Sequence, residues 1–235
     1  GRGMWDLLND NYGIKSQDGD YGYAGMTGVQ SGDAAALGLG KVTIPQENPG
    51  IWFYAYNINT GTDNENTVKV EANTGTGWEE VATIVMKDLP VVSAWNRVTL
   101  KLDKYAGKAP HFRFIATTRT YSNTLIDNVN IGSLSETDLA AEHISVPDKA
   151  AAGTQFPIRV TIGNYGASGA EDYTVKLFRD GNEIATANGV AVASGMRATV
   201  GFNDTLNAMS GKSSEYYAEV QSEADDNASN NISPK

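Results

Sequence analysis

Residues 95–131, WNRVTLKLDKYAGKAPHFRFIATTRTYSNTLIDNVNI, read as three strands and two connections. Val98, Leu100 and Leu102 alternate with Thr99, Lys101 and Asp103, the period of two that gives a strand one buried face. KYAGKAP then turns the chain, with Gly107 and Pro110 as its punctuation. Phe112, Phe114 and Ala116 alternate with His111, Arg113 and Ile115 in a second strand, and TRTYSN is a polar loop. LIDNVNI is the third strand, with Leu125, Asp127, Val129 and Ile131 expected on one face. That places a carboxylate in an otherwise apolar row. A carboxylate stripped of water needs a cation or several hydrogen-bond donors, because the bare charge is costly to bury.

Upstream the same rhythm continues. GIWFYAYN, residues 50–57, is the most aromatic strand, with Ile51, Phe53 and Ala55 on one face and Trp52, Tyr54 and Tyr56 on the other. Aromatic rings on an exposed sheet face can stack on sugar rings; the alternative is a central strand covered on both sides. TVKVEA alternates with Val68 and Val70 inward, NTGTGW is a glycine-rich hairpin loop, and EEVATIVM returns. Residues 81–89 are β-branched and lack helix caps, so they read as strand rather than helix. Residues 1–40 are rich in Gly, Asp and Asn, with a short strand predicted over 33–39. Within them QDGDYGYAG, residues 17–25, is a tight acidic turn. Asp18 and Asp20 put two carboxylates on a flexible backbone, the oxygen-rich arrangement that suits a hard cation such as Ca²⁺. The plain alternative is a solvated Asp-Gly turn. The first 133 residues thus hold eight to ten expected strands and no convincing helix.

Downstream, SLSETD is a short polar connector, and the composition changes across it. The net charge is −3 for residues 1–135 and −7 for residues 136–235, and all four Trp fall in the first part. A domain boundary near 135 follows, giving domains 1–135 and 136–235. The second part carries short alternating strands: LAAEHISV, QFPIRVTIGN, DYTVKLF, then stretches at 183–186, 190–192, 198–202 and 216–220. Asp180-Gly181-Asn182 is a hairpin turn. Seven or eight strands in this span predict an immunoglobulin-like sandwich.

Bulk properties bound the function. The 235 residues are 40% hydrophobic, carry a net charge of −10 and show no run of Lys and Arg. That balance argues against nucleic acid and anionic membranes, both of which need a basic face. No cysteine is present, which excludes disulfides and thiolate metal sites. No stretch approaches the roughly 18 apolar residues of a membrane span. The first residues lack the basic and apolar regions of a signal peptide, and the chain reads as a piece of a longer protein.

Two resemblances complete this reading. Residues 18–131 resemble the jelly-roll modules of bacterial surface proteins grouped as cleaved-adhesin or MAM-like domains. The matching pieces run in family order: QDGDYG, SGDAAAL, IWFYAYN, WNRVTLKLDKYAGKAPHFRF and LIDNVNI. Where the family often carries two acidic residues in the closing strand, this chain has Asp127 followed by Asn128. Residues 138–233 resemble the Ig-like cell-adhesion-related domain of bacteria, through DLAAEHISVP, the run AAGTQFPIRVTIGNYGASGAEDYTVKLFRDGNEIA and the ending EADDNASNN. Together they imply an all-β chain, a jelly-roll β-sandwich followed by an immunoglobulin-like β-sandwich. They also imply an extracellular or cell-surface location, adhesion or accessory binding, and structural Ca²⁺. The candidate metal ligands are Asp18, Asp20 and Asp127, on the expectation that a jelly roll brings its first and last strands together. Should Asp127 instead satisfy backbone donors, its loss would cost the same with and without calcium.

The reading is non-catalytic. His111 and His143 are the only histidines, and neither has a Ser or Asp companion in a nucleophile motif. Glu79 and Glu80 are adjacent, so on a strand they face opposite ways, and Asp225-Asp226 in the terminal loop read as solvated. Two functions remain. One is a binding module for glycans or extracellular proteins, its surface at the loop end holding Tyr21, Tyr23 and Tyr121, with ring faces against C–H groups and carboxylates on hydroxyls. The other is a structural spacer, accessory to neighbouring domains of a larger secreted enzyme such as a peptidase or glycoside hydrolase.

Overall fold

The computed structural model describes residues 4–8, 13–19, 22–27, 30–58, 64–120, 122–207 and 213–235. Among these the regular structure is strand, apart from three single-turn 3₁₀ segments. The chain forms two compact units, Gly1–Ser133 and Leu134–Lys235.

The first unit has nine described strands: β1 Met4–Leu8, β2 Tyr23–Thr27, β3 Ala34–Lys41, β4 Pro49–Tyr56, β5 Thr67–Asn73, β6 Glu79–Val85, β7 Trp95–Lys101, β8 His111–Thr117 and β9 Thr124–Ser133. They form a five-stranded sheet, β1-β2-β9-β4-β7, and a four-stranded sheet, β3-β8-β5-β6. Set β1 aside, and the eight remaining strands are divided between the sheets in the order of a jelly roll, with the first and last of them paired. Phe53 of one sheet meets Phe114 of the other edge-on, 5.0 Å between centroids. Ile51, Val68, Val70, Phe112 and Ile126 fill the space around them, each 1% exposed or less. The strand predicted over 81–89 is shorter than expected: β6 ends at Val85, and Met86–Asp88 make a 3₁₀ turn that buries Met86.

One irregularity decides the layout of the closing strand. Trp52 of β4 lies opposite Asn130, but Tyr54 lies opposite Asp127, so Phe53 faces two residues of β9. Asn128 takes up the extra residue with φ +49°, a left-handed conformation that Asn tolerates better than most residues. A bulge flips the alternation. Ile126 enters the core ahead of it, and Val129 and Ile131 pack on the core after it. Leu125 and Asp127 therefore point the other way, which corrects the single apolar row expected for Leu125, Asp127, Val129 and Ile131.

The second unit has six described strands: β10 Leu139–Ser145, β11 Gln155–Asn164, β12 Thr174–Arg179, β13 Asn182–Asn188, β14 Arg197–Thr205 and β15 Tyr216–Gln221. Two three-stranded sheets, β10-β11-β14 and β13-β12-β15, enclose a core that includes Ile158, Val160, Ile162, Val175, Leu177, Ala218 and Val220. This is the immunoglobulin-like arrangement, with six strands among the described residues where seven or eight were expected. Residues 190–192 contribute only a bridge from Val192 to Ala170, and the final segment only a bridge from Ile232 to Glu219. The β12–β13 turn has Asp180 at φ +51° and Gly181 at +81°, the two positive values that a type I′ hairpin requires.

Candidate functional site

The five-stranded sheet has an inner face in the core and an outer face with a different character. Side chains alternate along β4, so while Ile51, Phe53 and Ala55 are fully buried, Trp52, Tyr54 and Tyr56 are half-buried on the other side. Pairing carries that face across the neighbouring strands in rows. Tyr56 has Trp95 on one side and Leu125 on the other. Tyr54 has Arg97 and Asp127, and Trp52 has Thr99 and Asn130. Gly50 has Lys101 and Gly132. Aromatic rings thus run down the middle, cations flank them on β7, and amides and a carboxylate flank them on β9.

At one end the face is closed. Residues 13–19, which run into the acidic turn, cross it: the Trp95 indole donates to the Lys15 carbonyl at 2.8 Å, and the Gln17 amide donates to Asp127 Oδ2 at 2.7 Å. The Asn128 side-chain amide donates to Gln17 Oε1 at 3.1 Å. Trp95 is gripped between Tyr56 and Tyr23, both edge-on, at 5.2 and 5.4 Å. The Tyr56 hydroxyl donates to the Ser93 carbonyl at 2.7 Å, and burial raises its pKa. These rings anchor the fold.

At the other end the face is open. Trp52 has the Arg97 guanidinium 5.8 Å from its ring centroid. Its six-membered ring reaches over Gly132, where an added Cβ would come within 3.2 Å of the ring, so glycine is what lets the indole lie low across β9. The Asn130 amide donates to both the carbonyl and the Oδ1 of Asn128, at 2.8 Å each, which holds its side chain at the rim. A half-buried indole beside a guanidinium, amides and a carboxylate can offer a ring face for stacking and polar groups for hydroxyls.

The residues singled out from the sequence fall in different places. Asp20, Tyr21 and Tyr121 lie outside the described residues. Asp18 is exposed. Tyr23 is not a surface ring: it belongs to β2, is 1% exposed and packs edge-on against Trp95. Asp127 and the acidic turn do meet, as the jelly-roll argument requires. Each Asp127 oxygen takes a backbone donor, Oδ2 from Gln17 and Oδ1 from Asn128, the latter at 2.8 Å. Among the described residues no three His, Cys, Asp or Glu side chains converge as a metal group. Arg97, Asn130 and the open end of Trp52 were not singled out. Only their strand pairing with the aromatic row reveals them, and pairing is not written in any one segment.

The opposite face of this unit is filled by its own charges. Arg113 of β8 places Nε 2.7 Å and one terminal nitrogen 2.6 Å from Glu71 Oε2, and its guanidinium stacks 4.1 Å from the Trp78 ring centroid. Lys69 sits 3.6 Å from Glu71 and 3.8 Å from Glu80.

Comparison with known proteins concerns mainly the second unit. Residues 136–233 match the family model of CARDB, an Ig-like, cell adhesion-related β-sandwich. No curated protein matches the chain. Among solved structures, the chain is similar to a CARDB domain from Pyrococcus furiosus described in complex with di-metal ions, at 21% identity and TM-score 0.37, over 43% of this chain and 85% of that one. It is also similar to the tandem CBM22-1–CBM22-2 domain of Paenibacillus barcinonensis Xyn10C, at 12% identity and TM-score 0.38, over 97% and 87%. A third is the CBM22-1–GH10 part of Clostridium thermocellum xylanase 10B complexed with xylohexaose, at 16% identity and TM-score 0.38, over 55% and 24%. At TM-scores of this size none of the three bears on function. The conclusion is that this all-β chain ends in a segment, residues 136–233, matched by the CARDB family model.

Proposed function

We propose that the chain is a non-catalytic extracellular binding module, and that the outer face of the five-stranded sheet in its first unit binds a glycan. The observation that carries this reading is the open end of that face. Trp52 and Tyr54 stand half-exposed in a row between Arg97 and Lys101 on one side and Asp127 and Asn130 on the other. A pyranose has an apolar C–H face and a polar hydroxyl rim. Ring faces take the first, and side chains fixed in direction take the second. The second unit serves as an accessory domain, in keeping with its CARDB match. Adhesion at a cell surface is the role that joins the two.

The test is binding of the purified chain to a panel of glycans and extracellular-matrix proteins, in calcium and again in chelator. A saturable, selective glycan hit that quenches or shifts tryptophan fluorescence supports the reading. A well-folded sample with no hit across the panel contradicts it and favours a spacer.

A further inference from the structure

Residues 13–19 do more than cover rings: they end the row that the rings form. Their two anchors stand on opposite sides of β4. Trp95 on β7 lies opposite Tyr56 and holds the Lys15 carbonyl at 2.8 Å; Asp127 on β9 lies opposite Tyr54 and holds the Gln17 amide at 2.7 Å. A segment tied to β7 at Lys15 and to β9 at Gln17 has to pass over the strand between them, at the step from Tyr56 to Tyr54. Both anchors are themselves fixed. Trp95 is gripped by Tyr23 and Tyr56, and the other Asp127 oxygen takes the Asn128 amide at 2.8 Å. Asn128 adds a third tie through its side-chain amide on Gln17 Oε1, at 3.1 Å.

Beyond this crossing lie the rows of Tyr54, Trp52 and Gly50. The rings follow one strand, so a sugar chain stacked on them runs along β4. At about 3.3 Å per residue the track from Tyr54 to Gly50 is about 13 Å long, the length of a short oligosaccharide and not of a polymer. Trp52 is half-buried, and in the last row, Gly50 between Lys101 and Gly132, only Lys101 has a side chain, which is exposed.

An internal stretch of a polysaccharide has to enter such a row at one end and leave at the other. A chain terminus needs one opening. We propose that this face takes the terminal residues of a glycan: the rings of Tyr54 and Trp52 carry them, and the backbone of residues 15–17 stops the last sugar. The proposal rests on the glycan reading above and narrows it. Selection comes from exclusion, because a wall that clashes with a continuing chain discriminates as effectively as a contact that favours an ending one.

The test is isothermal calorimetry of the full chain against cello-, xylo-, manno- and chito-oligosaccharides, from mono- to hexasaccharide, and against the intact polysaccharides. Any further glycan that the panel selects joins as the same ladder. Affinity is expected to climb over the first sugars and then stay level to the hexasaccharide. The number of protein chains bound per polysaccharide is expected to follow its number of ends and not its length. Converting the reducing end to the alditol then tells which terminus is held: loss of binding names the reducing end and unchanged binding the other, both as the proposal requires. The double variant Trp95→Phe/Asp127→Ala removes both anchoring groups but keeps a ring at 95. Its ratio of hexasaccharide to trisaccharide affinity is expected to rise severalfold over wild type, and a uniform loss of affinity does not move that ratio. The wild-type ladder decides alone if the double variant does not fold. Affinity that keeps rising to the hexasaccharide, or binding in proportion to polysaccharide length, would overturn chain-end recognition and leave the glycan reading standing. Absence of binding to every glycan removes both.

Discussion

The two outer faces of the first unit are built from the same alternation and end in different chemistry. On the four-stranded sheet Arg113 is held by Glu71 and covered by Trp78, and Lys69 is shared between Glu71 and Glu80. The polar groups there complete one another. On the five-stranded sheet the aromatic row is closed at the Trp95 end by residues 13–19, whereas at the other end Trp52 stays half-exposed, with the Arg97 guanidinium 5.8 Å from its ring centroid and Asn130 at its rim. The difference teaches where to look for a ligand: a face whose charges are spent on each other has little left to offer, whereas a face with a half-exposed ring and fixed polar rims has.

That contrast can be broken from either side. The largest expected effect is on the closed face. Glu71 is 11% exposed in its side chain and Arg113 29%, so Arg113→Met takes from a carboxylate close to buried its nearest cation and leaves it only Lys69 at 3.6 Å. A fully buried pair broken this way costs about 3–5 kcal/mol; exposure of the arginine reduces this to about 2 kcal/mol. Chemical denaturation should show that loss, with glycan binding unchanged. A large binding loss with little change in stability would mean the faces have been assigned the wrong way round.

A smaller effect is expected at Asp127, the tie between the acidic turn and the open face. Asp127→Ala leaves two backbone amides without their acceptor, at a cost of about 1 kcal/mol. The melting temperature should fall equally in calcium and in chelator. A fall confined to calcium would show a metal at Asp127 and overrule the two-amide account.

The smallest effect extends the comparison to the second unit, whose Asp204 is another self-completed site. Burial alone would raise the Asp204 pKa, but the Tyr216 hydroxyl, the Thr205 amide and Arg179 hold it below its ordinary value. Burial, and then the hydrogen bond to Asp204, push the Tyr216 phenol up to about 12 from its ordinary 10.0. A raised pKa in the folded state means the phenol's contribution is whole below pH 10 and fades as pH rises from there to about 12. The depressed Asp204 pKa works in the opposite sense: its contribution is whole above the ordinary carboxylate value and is lost as pH falls through the folded one. Wild type and Tyr216→Phe, melted across the alkaline window, should therefore converge as pH rises. Parallel curves would deny the coupling.

Much of the fold was legible because period-two alternation is local. The strands at 98–101, 112–116 and 67–72 follow directly from their own residues, and the Asp180-Gly181 hairpin from two residues that accept positive φ. What was not legible depends on partners or on single-residue shifts. The row containing Asp127 was misjudged because the Asn128 bulge inserts one residue, and nothing in LIDNVNI marks that Asn as left-handed rather than extended. Tyr23 read as a loop ring because its cover, Trp95, lies 72 positions away. The aromatic row of β4 was visible as a pattern, but its exposure was not, since the strand alone does not say whether a second layer lies over it. Asp225 read as solvated because a polar terminal segment is usually outside, but its Oδ2 is shut off from solvent, and Asp138, far off in sequence, accepts the Asn227 and Asn230 amides of the same loop.

The most direct test of the central claim is to titrate the best-binding glycan of the panel against wild type, Trp52→Ala and Trp78→Ala side by side. The open-face account predicts that Trp52→Ala loses about tenfold or more in affinity, roughly 1.4 kcal/mol, while Trp78→Ala binds as wild type does. Equal binding by wild type and Trp52→Ala, or loss in Trp78→Ala alone, would contradict it.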